Sequence, residues 1–156
     1  MPSLVIRFIS APDIVSRLIE WTTDSIFCHT EGLSPDGKLW IGAHAHTGVQ
    51  ARPLDWVKPS FERRYAVPVT DAQYAAANKY MTSKVGTPYD YLDIVGLALH
   101  KRIGASDHTI ICSAFMLQWL MAAGLYPLNC LEPFAYLITP ETLHLSPLFI
   151  GKGIAV

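Results

Sequence analysis

Few cysteines, no basic run and no long apolar stretch: each shortage closes a class of function. Cys28, Cys112 and Cys130 are the three cysteines, neither an even set nor a CxxC pair, which argues against a disulfide-stapled secreted scaffold and leaves at least one thiol free. Twelve Lys and Arg stand against thirteen Asp and Glu, for a net charge of -1. With no basic patch, a nucleic-acid or anionic-membrane surface has no electrostatic support. No stretch approaches the ~20 apolar residues of a membrane span, the best candidate being broken by Asp90, Asp93, His100 and Lys101. Arg7 interrupts the first apolar run and no cationic segment precedes it, so no signal peptide and a cytoplasmic location are expected. Repeats and low-complexity tracts are also missing. What remains is a chain of 156 residues, 51% hydrophobic, enough for one domain over residues 1–156 with a real core. Its expected partner is a small molecule or peptide, with no cofactor.

Strand and helix signals are segregated along the chain. Val5 to Ile9 reads as a strand, followed by a helix from Pro12 and Asp13 carrying Ile14, Val15, Leu18, Ile19 and Trp21 at helical spacing. Ile26 to Leu33 and Leu39 to Ala45 flank Ser34-Pro35-Asp36-Gly37, a turn sequence that predicts a β-hairpin. A short pairing at Val49 to Ala51 and a strand over Arg64 to Thr70 follow. Asp71, read as an N-cap, opens an alanine-rich helix to about Lys84, stopped by Gly86-Thr87-Pro88. Tyr89 to His100 and Ile110 to Ala123 are further helical runs, separated by a polar loop over Arg102 to His108, with Gly124 closing the last. The proline-bearing tail is expected to be irregular. Strands first and helices later imply an α+β fold with an antiparallel sheet.

Cys112 sits where Ile110 and Ile111 meet the helix of Phe115, Met116, Trp119 and Leu120, so its thiol is expected near a helix N-terminus. Unpaired N–H groups and the positive dipole end there favour a thiolate and can hold an oxyanion. A small core hydrophobe is an equally good explanation. On a period-2 strand His29 shares a face with Phe27 and Glu31, while Cys28 and Thr30 point away. His29 is therefore a candidate base for a thiol elsewhere in the fold, with Glu31 able to tune it; a surface or core histidine is the commoner case. His44 and His46 share a strand face with Gly42. One of them orients His29, or the pair begins a metal site, although no Asp/Glu/Cys cluster at ligand spacing completes it and no metal is expected. Tyr89, in Gly86-Thr87-Pro88-Tyr89-Asp90-Tyr91, suits a substrate cleft or the core.

Taken in order, IFCHTEGL, IGAHAHTGVQARPL, GTPYDYLDIVGL and ICSAFMLQWLMAAGL resemble the circularly permuted branch of the NlpC-type papain-like cysteine peptidase superfamily, the YiiX-like proteins with bacteriophage and prophage members. The similarity spans about Val5 to Leu148. It implies a permuted papain-like fold, a small antiparallel sheet or barrel packed against helices. It also implies Cys112 as nucleophile, His29 as base, Tyr89 and Glu31 near the substrate, and hydrolysis or acyl transfer on cell-wall peptide amides or acyl and lipid groups. The family places an orienting His or Glu where this chain has Gly42, so His44 is expected to substitute. Gly42 also keeps a non-catalytic module of phage origin in view, and His29, His44 and His46 a less favoured metal hydrolase.

Overall fold

The computed structural model describes residues 1–12, 20, 24–45, 47–89, 111–128, 138–151 and 154–155. The helix expected after Pro12, the helix from Tyr89 to His100 and the loop before His108 lie almost wholly outside these residues. His46 and Cys130 lie outside them too.

The alternation of Leu4, Ile6 and Phe8 with Val5 and Arg7 makes a strand, β1 (Ser3–Ser10), with its apolar set on one face. It pairs antiparallel with β2 (His29–Leu33), setting Arg7 opposite Glu31 and Ile9 opposite His29. On its other edge it pairs with β5 (Phe61–Pro68), Arg7 opposite Arg64. The Ser34–Gly37 turn joins β2 to β3 (Leu39–His44) as an antiparallel hairpin, Gly37 taking φ 71°, the left-handed value the sequence anticipates. β4 (Gly48–Pro53) pairs with β3, so the short pairing expected near Val49 is a full edge strand. A two-residue strand, β6 (Ile154–Ala155), extends the far edge, giving the order β4-β3-β2-β1-β5-β6.

α1 (Asp71–Lys84) is capped by Thr70 rather than Asp71. The Thr70 hydroxyl accepts from the Gln73 N–H while the Gln73 side chain accepts from the Thr70 N–H, a reciprocal capping box. α2 (Cys112–Ala122) buries most of its circumference, including Phe115, Met116, Leu117, Trp119 and Leu120; a helix apolar all round must be central. It packs on the sheet face carrying Leu4, Ile6, Phe8, Ile41, Ala43 and Val67. Gly124 follows its end at φ 71°. Two short helices, α3 (Pro140–His144) and α4 (Pro147–Gly151), order part of the tail. The architecture is α+β, strands preceding the main helices.

Two strand limits differ from expectation. The strand expected over Arg64 to Thr70 begins earlier and ends at Pro68, because pairing continues to Ser10 opposite Phe61. The segment expected to be strand from Ile26 begins at His29, and Phe27 turns into the core against Phe8 and His144. Phe27 therefore does not share the face of His29 and Glu31.

Candidate functional site

Register gathers the polar residues. The β2–β3 register pairs Gly32 with Ile41 and Leu33 with Trp40, and beyond it Glu31 lies over Gly42 and the His29 and His44 rings lie 4.8 Å apart. Since Arg7 lies opposite Glu31 on the other side, the row Arg7, Glu31, Gly42 crosses three strands. This row lies on the face turned away from the apolar set.

Glu31 is the hub. Its Oε2 accepts from Arg7 Nε at 2.7 Å, with Nη2 at 2.6 Å, and from Trp56 Nε1 at 3.4 Å. Its Oε1 lies 3.3 Å from His29 Nε2 and 3.3 Å from His44 Nε2, contacts too poorly aligned to count as hydrogen bonds. Arg7 and Glu31 are 1% and 0% exposed, so each charge depends on the other. The Arg7 guanidinium also stacks 4.3 Å from the Trp40 ring. Burial alone would raise the Glu31 carboxyl, but His29, Arg7 and His44 outweigh it and hold Glu31 down at about 2.

Gly42 is where this hub needs space. A Cβ there would stand 2.8 Å from Glu31 Cγ and 3.3 Å from both His29 Nε2 and the Thr30 carbonyl oxygen. The space left open at Gly42 is thus occupied from the neighbouring strand by Glu31.

Cys112 is the first residue of α2, and its N-cap, Ile111, makes no side-chain cap hydrogen bond. Cys112 is the neighbour that most favours the charged form of His29, the first residue of β2, through charge and a hydrogen bond. Burial would depress His29, yet Cys112 and Glu31 on its two sides raise it to about 10. His44 moves the other way, to about 3, through its burial and the neighbouring His29 cation, Glu31 opposing only in part. The His44 ring sits 4.8 Å from that of His29 and 4.9 Å from that of Trp56.

The structure therefore brings Cys112, His29, Glu31 and His44 together. Tyr89 packs on the edge of the hydrophobic core. Among the described residues, the donors converging with His44 are His29 and Glu31; His46, the other half of the HxH pair, lies outside them. Sequence reasoning missed Arg7 and Trp56. A signal existed for Arg7, since an arginine at mid-strand between Ile6 and Phe8 needs a buried counterion. Trp56, in an irregular segment, carried none.

No protein-family model and no curated protein matches this sequence. The fold is similar to that of metalloprotein yiiX from Escherichia coli O157:H7, with a TM-score of 0.68 and 17% identity over 99% of this chain and 96% of that one. Among the described residues, no helix is long and apolar enough to cross a membrane.

Proposed function

We propose that the chain is a thiol hydrolase or acyl transferase in which Cys112 is the nucleophile, His29 the acid–base and Glu31 the residue that positions His29. One observation carries this reading. A single imidazole at the head of β2 is flanked by a thiol at the head of α2 and by a buried carboxylate, the base-and-orienter arrangement that activates a nucleophile. The imidazole raised to about 10 fits an imidazolium held between sulfur and carboxylate, ready to donate.

In the proposed reaction the Cys112 thiolate attacks an amide or ester carbonyl carbon. A C–S bond forms, and the oxyanion is held by the N–H groups of the first turn of α2. His29 gives its proton to the departing amine or alcohol as the C–N or C–O bond breaks. Water, or an acceptor nucleophile, then attacks the thioester while His29 takes its proton, and the thiolate leaves. The permuted papain-like resemblance points to cell-wall peptide amides or acyl and lipid esters as substrates. In this reading Glu31, whose carboxylate stands over Gly42 and beside His29, takes the orienting role expected of His44.

The metalloprotein description of the E. coli neighbour favours a second reading, a metal-dependent hydrolase. His29, Glu31 and His44 are the donor set it would use. It is the weaker one, because Arg7 already balances the Glu31 charge at 2.6 Å and it leaves the Cys112–His29 contact without a purpose.

Iodoacetamide labelling tests the first reading. Cys112 should be alkylated at neutral pH at least tenfold faster than a free cysteine, and Cys112→Ala should abolish hydrolysis of peptidoglycan peptides or acyl esters. Alkylation no faster than free cysteine, or activity surviving Cys112→Ala, would overturn it.

A further inference from the structure

The arginines on the polar face of the sheet are matched with carboxylates, with one exception. Arg7 holds Glu31 at 2.6 Å, and Arg64 holds Glu62 at 2.6 Å. Arg52 stands opposite Trp40 in β4, two residues beyond Gln50, which stands opposite Gly42. Strand alternation therefore puts its side chain on the face of Glu31 and the two histidines. Among the described residues no carboxylate pairs with it, Asp55 of the neighbouring loop included. Its guanidinium lies over the Trp56 ring, 4.9 Å from the centroid, and Nη2 donates to the Thr47 hydroxyl at 3.1 Å. The same indole meets the His44 ring at 4.9 Å and the His29 ring at 6.4 Å, and its Nε1 donates to Glu31. One aromatic ring thus separates an uncompensated cation from the imidazole of the thiol site. Arg52 is half-buried and held between ring and hydroxyl, so it has less side-chain freedom to lose on binding.

We propose that Arg52, presented on the Trp56 ring, is a specificity-determining residue that binds a carboxylate of the substrate, so that the enzyme prefers acyl compounds carrying a free carboxylate near the scissile bond over neutral amides and esters. This rests on the thiol reading above, which says where the bond breaks, and adds what selects the substrate. A guanidinium offers five N–H donors in a planar fork, and the bond to Thr47 uses one of them. The fork matches the two oxygens of a carboxylate. A neutral substrate leaves Arg52 hydrated and gains nothing there, and one with an ammonium group is repelled. A chain terminus and an acidic side chain present the same group, and the spacing between carboxylate and reacting carbon tells them apart.

The test is the charge dependence of Cys112 alkylation in the full chain. Three probes are compared: iodoacetyl-β-alanine, with a terminal carboxylate; iodoacetyl-glutamic acid α-amide, with a side-chain carboxylate; and neutral iodoacetyl-β-alaninamide. At least one acid should react about fivefold faster than the amide, the upper end for a partly exposed ion pair, and the faster acid identifies terminus or side chain as the source. The His29 imidazolium also attracts anions, so the variants carry the assignment. The acid-to-amide ratio should fall about fivefold in Arg52→Met and be partly kept in Arg52→Lys, which retains the charge without the fork. A folding defect slows acid and amide alike and leaves their ratio unchanged. No acid preference in the native chain, or a ratio unaltered by Arg52→Met, would overturn the proposal. Slow alkylation by every probe would instead refute the thiol reading. Binding of the unreactive acetyl counterparts to Cys112→Ala, followed by NMR titration, then decides Arg52. The acid should bind more tightly than the amide and lose that advantage when Arg52→Met is added; equal binding would refute the assignment.

Discussion

Gly42→Ala is the substitution that most directly tests the cross-strand supply of the carboxylate. Gly42 lies in extended β3, where alanine meets no backbone penalty and costs less conformational entropy than glycine. Propensity alone therefore expects a neutral or stabilising change. The collision decides otherwise: the new methyl would stand 2.8 Å from Glu31 Cγ, whereas carbon atoms rest at about 3.5–4.0 Å. Relief needs a shift of about 0.7 Å or more, and the Thr30 carbonyl at 3.3 Å is ladder backbone that does not yield. The shift falls on Glu31, which Arg7 grips at 2.6 Å. Overpacking of this kind costs about 1–3 kcal/mol, and a domain of this size loses about 2–4 °C of Tm per kcal/mol. A displacement near 1 Å at an orienting group lowers reactivity by up to about 10²-fold. Thermal unfolding and Cys112 alkylation should therefore both fall in Gly42→Ala. A Tm equal to or above the native value with an unchanged alkylation rate would refute the reasoning. The complementary swap, Glu31→Gly with Gly42→Glu, should recover part of the alkylation rate lost in Glu31→Gly alone.

Glu31→Gln leaves the buried Arg7 cation with only the longer 3.6 Å contact to Glu62 and should cost up to about 3 kcal/mol; a double-mutant cycle with Arg7→Met on denaturant midpoints should show strong coupling, and additivity would count against the pair. In metal-free protein, stability should peak near pH 6.5, by linkage of three groups. His29, raised from 6.5 to about 10, contributes stability that is complete below pH 6.5 and lost as pH rises toward 10. Glu31, lowered from 4.5 to about 2, contributes stability present above pH 4.5 and lost as pH falls through 2. His44, lowered from 6.5 to about 3, adds a loss as pH falls from 6.5 toward 3. Denaturant midpoints across the range check this, and His44→Phe should flatten the limb just below pH 6.5; a flat native profile would contradict the burial argument. Thr70→Ala removes the α1 cap and should cost about 1 kcal/mol without changing Cys112 alkylation, which circular dichroism melts and labelling together can verify.

Local signals set much of the fold. The Ser34–Gly37 turn, the alternation through β1, the helical run from Asp71 and the apolar run after Cys112 each act over a few residues, and each appears close to where spacing puts it. Cys112 and His29 were legible as candidates for the same reason, a thiol at a helix start and a histidine on a strand. Boundaries were less so. Phe27 left the strand pattern because the cluster of Phe8, Phe61 and His144 offered it more buried contact than continued alternation, and Thr70 displaced Asp71 as cap because Gln73 could return the hydrogen bond.

The sequence by itself determined an α+β chain with a free thiol at a helix head and a histidine on a preceding strand, since these are matters of periodicity and neighbouring residue types. Only the tertiary structure decided which carboxylate stands beside that histidine. Gly42 looks like a lost side chain in one dimension. In the sheet it is the gap into which Glu31 leans, fixed by a register that also sets Arg7 against the same carboxylate. Which residues face one another across strands depends on pairing between distant segments, and no local spacing encodes that.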